Sequence, residues 1–196
     1  MHRFAVFAIL AAFAHGCTDM QDNVIPVSDC NAGEVVSLAG NNIYTYDVNG
    51  APLCSGQMGM VNFPGELRLT TISGTLSKPL HAENQAQLML TLEKNTFPAV
   101  AICNNGAHAF PGVPDKWCNF DLCTLSGMAA FCQQLDDKTG PFSLPVSTSL
   151  PLPEVPEFLK PVIKGTFTIS AGLKNVTTGA TVGCIINKSV PASVGH

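Results

Sequence analysis

Along much of the chain, apolar and polar residues alternate with period two, the pattern of β-strands that keep one face on an apolar interior. Phe167, Ile169, Ala171 and Leu173 form one such row, while Thr166, Thr168 and Ser170 form the opposite one. β-Branched threonine suits the solvent face of a strand. Leu88, Leu90 and Leu92 make a second apolar row, alternating with Gln87, Met89, Thr91 and Glu93. Further strands are predicted at residues 43–48, 66–72, 99–103 and 181–190, separated by turn pairs such as Asn49-Gly50 and Pro64-Gly65. Between Trp117 and Leu135 the period changes, and Leu122, Leu125, Met128, Ala129 and Cys132 are spaced like one face of a short helix, with Gly127 weakening it. Pro141, Pro145, Pro151, Pro153, Pro156 and Pro161 predict an extended, irregular segment poor in ladder hydrogen bonds. Its bulky apolar residues are wrong for a solvated linker. The segment is therefore expected to pack as a loop across one end of a single, mostly β domain.

Composition raises a question about that domain. The 196 residues are 46% hydrophobic and 12% charged, with a mean hydropathy of +0.24, whereas an ordinary soluble domain is about 25% charged. Such a chain is too apolar to be disordered. A formal net charge of −4 provides no basic footprint, so nucleic acid is not an expected partner. What remains is where a one-domain chain places so much apolar surface.

A leader accounts for a small share of it. Met1, His2 and Arg3 are followed by an apolar stretch from Phe4 to Phe13, and Ala12-Phe13-Ala14 has the small-x-small form of a signal-peptidase site. Residues 1–14 are read as a signal peptide, with a cut after Gly16 as the alternative. The apolar stretch is about half the ~20 residues of a membrane helix. The bulky His15 argues against lipid attachment at Cys17. Cleavage sends all eight cysteines (Cys17, Cys30, Cys54, Cys103, Cys118, Cys123, Cys132 and Cys184) to an oxidising compartment, where an even count implies four disulfides. Spacing alone leaves their pairing open. Cys118 and Cys123 have loosely ligand-like spacing but no histidine at a matching interval, so no metal is expected. Sequons at Asn175 and Asn187 are candidate glycosylation sites of a secreted chain.

Catalytic motifs are missing from the sequence: it contains no G-x-S-x-G elbow, HExxH, P-loop or GxGxxG. His81 and His108 are the candidate bases, each in a polar or Gly-rich segment where a solvated loop histidine is the simpler reading. Asp136 and Asp137, before Lys138 and Gly140, read as a solvated turn. No catalytic residue and no cofactor are assigned. Two apolar segments stand out instead: one runs from Phe97-Pro98 through Val100 to Ile102, and the other is the Pro-stiffened stretch with Leu150, Leu152, Val155, Phe158 and Leu159. Core burial explains Val100 and Ile102. A Pro-rich loop usually runs over the surface, where apolar patches mark ligand grooves or membrane contacts.

Several runs together resemble a known family. Asp29-Cys30-Asn31-Ala32-Gly33, Leu90-Thr91-Leu92-Glu93-Lys94, Trp117-Cys118-Asn119-Phe120-Asp121-Leu122-Cys123, Gly140-Pro141-Phe142-Ser143-Leu144-Pro145, the Leu-Pro-rich loop through Phe158-Leu159 and Val182-Gly183-Cys184-Ile185 occur in the order found in ganglioside GM2 activator-like proteins. These belong to the lipid-recognition (ML) domain class. The resemblance spans roughly Asp29 to Val190. It implies an all-β fold, an immunoglobulin-like β-sandwich or β-cup around an apolar cavity, with residues 15–28 as an N-terminal extension, 29–190 as the single domain and 191–196 as a tail. It also implies the bridges Cys30 with Cys184, Cys103 with Cys118 and Cys123 with Cys132. Cys17 and Cys54 are left without a counterpart in the activator, and the Cys103–Cys118 interval is longer than in the activator.

By the same resemblance, Phe97, Pro98, Val100, Leu152, Val155, Phe158 and Leu159 form a rim that touches membrane and admits lipid. Leu88, Leu90, Leu92, Phe167 and Ile169 form the cavity wall. The implied function is a secreted or lysosomal protein that lifts a glycosphingolipid, phospholipid or fatty acid from a membrane and presents it to a hydrolase such as a glycosidase, without catalysing a bond change. The alternatives are a lipid carrier or sensor with no enzyme partner, a lipid-acting enzyme and a structural secreted protein. Asp29, Glu66 and Lys94 are the charged residues considered for orienting a polar head group.

Overall fold

The computed structural model describes residues 16–30, 35–38, 40–79, 86–136, 138–176 and 178–195. The signal segment 1–14, His81 and Asp137 lie outside them. The chain begins with β1 (Val24–Asp29), β2 (Val36–Leu38), β3 (Asn41–Tyr46) and the small hairpin β4 (Cys54–Ser55) and β5 (Met58–Gly59). Then come β6 (Val61–Phe63), the long β7 (Gly65–Leu76), β8 (Ala86–Lys94), β9 (Val100–Asn104), β10 (Ala107–His108) and β11 (Asn119–Asp121). Helix α1 (Ala129–Leu135), β12 (Gly140–Leu152), the short α2 (Lys160–Ile163), β13 (Gly165–Asn175) and β14 (Thr181–Val194) complete it.

The main strands hydrogen-bond in the order β10-β9-β8-β13-β14-β1-β3-β7-β12. β1 is the corner of this path. Its Ser28 and Asp29 pair with β14, whereas Val24 to Val27 pair with β3. Residues from both arms, Leu90 and Ile169 on one side and Leu69 and Leu150 on the other, line one shared cavity. The sheet therefore folds back on itself as a cup.

The structure corrects three boundaries. Residues 15–28 are not an appendage, because most of β1 lies within them and joins the two arms. The tail from residue 191 continues β14 to Val194, and Ala192 to Val194 pair in parallel with β6. The Pro-rich segment does not begin as an irregular loop: residues 140–152 form a 13-residue strand paired with β7. β12 ends the strand order, so one of its sides needs no ladder partner and its prolines cost no donors there. The expected helix is also shorter than its apolar spacing suggests. Gly127 has φ of +79°, and α1 begins only after it. Leu122 instead opens a 3-10 turn, with Cys123 N–H bonded to the Asp121 carboxylate.

Buried apolar residues fall into three clusters rather than one filled core. Leu76, Phe131, Cys132 and Leu135 anchor the α1 end; Ile102, Val155, Leu159 and Phe167 anchor the end near α2; Ile25, Val61 and Val190 form the third. Met89 faces away from the leucine row yet is 7% exposed, because the turn at Gly106, whose N–H bonds Leu90 O at 3.0 Å, covers it.

Four disulfides close the frame: Cys17–Cys54, Cys30–Cys184, Cys103–Cys118 and Cys123–Cys132. Their Cα separations of 5.5–5.8 Å suit the bond. The pair that the resemblance left over, Cys17 with Cys54, ties the segment before β1 to the β4–β5 hairpin.

A polar chain crosses the β3, β7 and β12 arm. Ser149 Oγ donates to Glu66, Glu66 pairs with Arg68 at 2.6 Å, and the Arg68 guanidinium lies 4.1 Å over the Tyr46 ring. The hydrogen bonds from Arg68 and Ser149 hold the Glu66 carboxyl below the usual carboxylate range. A lowered folded-state pKa stabilises the fold above the unfolded pKa of about 4.3, and that contribution is lost as pH falls through the folded value. Glu66→Gln is expected to cost about 1 kcal/mol at neutral pH and to flatten the loss of stability on acidification below about pH 4.5, measured by urea unfolding across pH. Equal acid sensitivity in the variant and the natural chain would contradict this assignment.

Candidate functional site

The cup encloses a cavity of about 470 Å³. Its walls come from the inward rows of the strands. Leu88, Leu90 and Leu92 on β8 and Phe167, Ile169, Ala171 and Leu173 on β13 all line it. β14 adds Ile185 and Val190, and the facing arm adds Ile43, Leu67, Leu69, Ile72 and Leu150. Period-two alternation on both arms makes this interior apolar. Asn41, Lys116, Thr148 and Asn187 are the lining residues with polar side chains.

Two of those polar groups are spent within the fold. The Asn41 amide accepts from Ser73 N–H at 2.8 Å and donates to Ser73 O at 2.9 Å. Asn187 donates through Nδ2 to Pro26 O at 2.6 Å and accepts from Ser189 N–H at 2.9 Å. The nitrogen that a glycan would occupy is thus engaged with β1. The other sequon residue, Asn175, ends β13 and accepts from Thr178 N–H at 3.0 Å.

Of the residues lining the cavity, Lys116, Pro151 and Pro153 are exposed, so the cavity meets solvent beside them. Lys116 and the half-buried Trp117 sit on a 3-10 turn at residues 115–117. Cys103–Cys118 clamps the end of this turn to β9. Its start is tied to β10 by Asp115, which accepts from His108 N–H at 3.1 Å and pairs with His108 Nδ1 at 2.6 Å. The His108 contact holds the Asp115 carboxyl below its usual range. His108 therefore serves as a strut of the mouth.

The seven residues expected at the rim divide by position. Phe97 is fully exposed and Pro98 is exposed with it in the β8–β9 turn, while Val100 is half-buried against the α2 cluster. Phe158 is 64% exposed and lies over Gly112, where a side chain would meet its ring at 2.8 Å. Leu152 lines the cavity directly. Val155 and Leu159 are a correction: at 2% and 0% exposure they cannot touch a membrane. The 3-10 turn at residues 157–159 points Phe158 outward and Leu159 inward, where it anchors the loop among Val113, Ile163 and Phe167. Asp29, Glu66 and Lys94 do not orient anything in the cavity. Asp29 accepts from Leu38 N–H at 3.1 Å, Glu66 binds Arg68, and Lys94 donates to Pro161 O at 2.9 Å.

Sequence reasoning passed over Lys116 and Thr148. Lys116 sits between Asp115 and Trp117 as an ordinary surface lysine would, and its place at the mouth depends on the disulfide clamp. Thr148 did carry a signal, as the one hydroxyl in the inward row Val146, Thr148, Leu150, Leu152.

Fold and site together define a mostly β, disulfide-stapled cup around an apolar cavity that meets solvent beside Lys116, Pro151 and Pro153. No family model matches the chain, and no curated protein matches its sequence. Among solved structures the chain is similar to chicken MD-1 complexed with lipid IVa, at 15% identity and a TM-score of 0.34, over 85% of this chain and 97% of that one.

Proposed function

We propose that the protein binds a lipid, holding its hydrocarbon inside the cup and its polar end at the mouth beside Lys116. The observation that carries this reading is the cavity itself. An apolar space of about 470 Å³ that opens to solvent falls in the range of small-molecule sites. Each methylene transferred into it from water is worth about 0.8 kcal/mol. The ammonium of Lys116 favours an acidic or zwitterionic head group. The four disulfides support a secreted or lysosomal setting.

Phe97, Pro98 and Phe158 are the surface through which the protein touches a membrane while lipid transfers. The resemblance to the ganglioside GM2 activator supports a finer version, in which a glycosphingolipid is lifted from the bilayer and presented to a glycosidase, and the protein itself breaks no bond. Mass spectrometry of an organic extract from natively purified protein tests the core of the reading, with a near-stoichiometric lipid expected. Protein that is lipid-free and takes up no long-chain fatty acid would sink it. Adding the protein to a glycosphingolipid hydrolase then separates presenter from carrier: accelerated turnover marks the first, unchanged turnover the second.

A further inference from the structure

The cavity ends where α1 packs. Ile72 on β7, Leu88 on β8 and Cys184 on β14 line it. The next residues of the same inward rows, Leu76, Ala86 and Val182, are buried in the cluster around α1 and take no part in the lining. What the open space meets there is Phe131 of α1 and Leu125 of the segment before it. Both are held from behind. The Phe131 ring packs against that of Phe142, with centroids 6.3 Å apart. Cys123–Cys132 ties α1 to the 3-10 turn at residues 122–124, and Cys132 is fully buried. A covalently tied, close-packed end of this kind yields little to a ligand that presses on it.

The opposite end of the cavity lies near Phe167 and Leu152, beside the exposed Pro151 and Pro153. Between the two ends the β13 wall runs from Phe167 to Leu173, about 20 Å at the rise of an extended strand. The neighbouring strand keeps register over the whole stretch, with Phe167 paired to Lys94 and Leu173 to Leu88. We propose that α1 is the floor of a chain-length ruler: a hydrocarbon chain enters beside Pro151 and stops against Phe131 and Leu125. An extended chain advances about 1.2 Å per bond, since the three backbone bonds of an extended residue span about 3.3–3.6 Å. About 20 Å at that advance holds about 16 bonds, which matches a fatty acid of about 16 to 18 carbons. Methylenes in excess of that length stay in water at the mouth and add nothing to binding.

The inference rests on the cavity being a lipid site, and the experiment separates the two. Delipidated protein is titrated with the saturated straight-chain acids from decanoic to docosanoic. Affinity of the natural chain is expected to rise about fourfold per carbon, the yield of one buried methylene, up to about 16 to 18 carbons and to level off beyond. Phe131→Ala, which removes the ring from the floor, should move that break upward by about two to four carbons. Leu125→Phe should move it downward by about two. A variant that only loosens the fold lowers affinity at every length and leaves the break in place. Leu125→Phe adds apolar volume next to open space, so it carries the test where Phe131→Ala does not fold. A break that stays in place in Leu125→Phe, or affinity that climbs through docosanoic acid without one, overturns the ruler while leaving the lipid reading standing. Failure to bind any of these acids overturns both.

Discussion

Replacing Ala171 with phenylalanine is expected to weaken the binding of a long-chain fatty acid by roughly thirtyfold while leaving the fold at least as stable. Ala171 lies mid-strand on β13, between Leu90 of β8 and Ile185 of β14, and all three face the cavity. A ring at this position occupies space that two or three methylenes of the ligand would fill, at about 0.8 kcal/mol each, or about 2 kcal/mol in all. Overpacking ordinarily makes small-to-large substitutions costly. Here the ring enters open space and gains apolar contact, so thermal unfolding should not move down. Fluorescent fatty-acid displacement and a melting curve on the same sample read both quantities. Unchanged affinity would mean that ligands do not enter the cup, and a large loss of stability would mean that the space is not available to a side chain.

The second large effect separates two disulfides that look equivalent in sequence. Removing Cys103–Cys118 as the double alanine variant opens a loop of separation 15, and removing Cys17–Cys54 opens one of separation 37. Chain entropy alone ranks their costs at about 3 and about 4 kcal/mol. Ligand affinity should rank the other way. Cys103–Cys118 fixes the turn that carries Lys116 and Trp117 at the mouth, and Cys103 itself lines the cavity. Cys17–Cys54 ties the start of the described chain to a hairpin that contributes nothing to the cavity wall. Guanidinium unfolding should therefore show both losses, whereas lipid titration should weaken clearly only without Cys103–Cys118. Equal loss of affinity in both variants would make the mouth turn a bystander.

The cavity wall was the most legible part of the site. Leu88, Leu90, Leu92, Phe167 and Ile169 stand at alternate positions, and alternation is local information that a strand converts directly into one face. The mouth was less legible. Val155 and Phe158 belong to the same Pro-rich run, yet one is buried and the other is 64% exposed. No period governs a segment that turns through Pro156 into a 3-10 helix and then α2, so the direction of each side chain is set by what it meets across the fold. Lys116 was silent for the same reason, because a lysine beside a tryptophan becomes a mouth residue only where another arm of the sheet ends nearby.

By itself the sequence determined the mostly β character of the chain, its chief strands and turns and its apolar surplus, because these follow from neighbours a few residues apart. Tertiary structure decided what that surplus encloses. Period two shows that a strand has an apolar face but not whether the two faces meet in contact or stand apart. That choice was made at β1, where pairing passes from β14 to β3 and the sheet turns back on itself. It was also made at residues 140–152, where a proline-bearing run could act as a strand because it lies at the end of the strand order. The separation of the two arms leaves a cavity instead of a filled core.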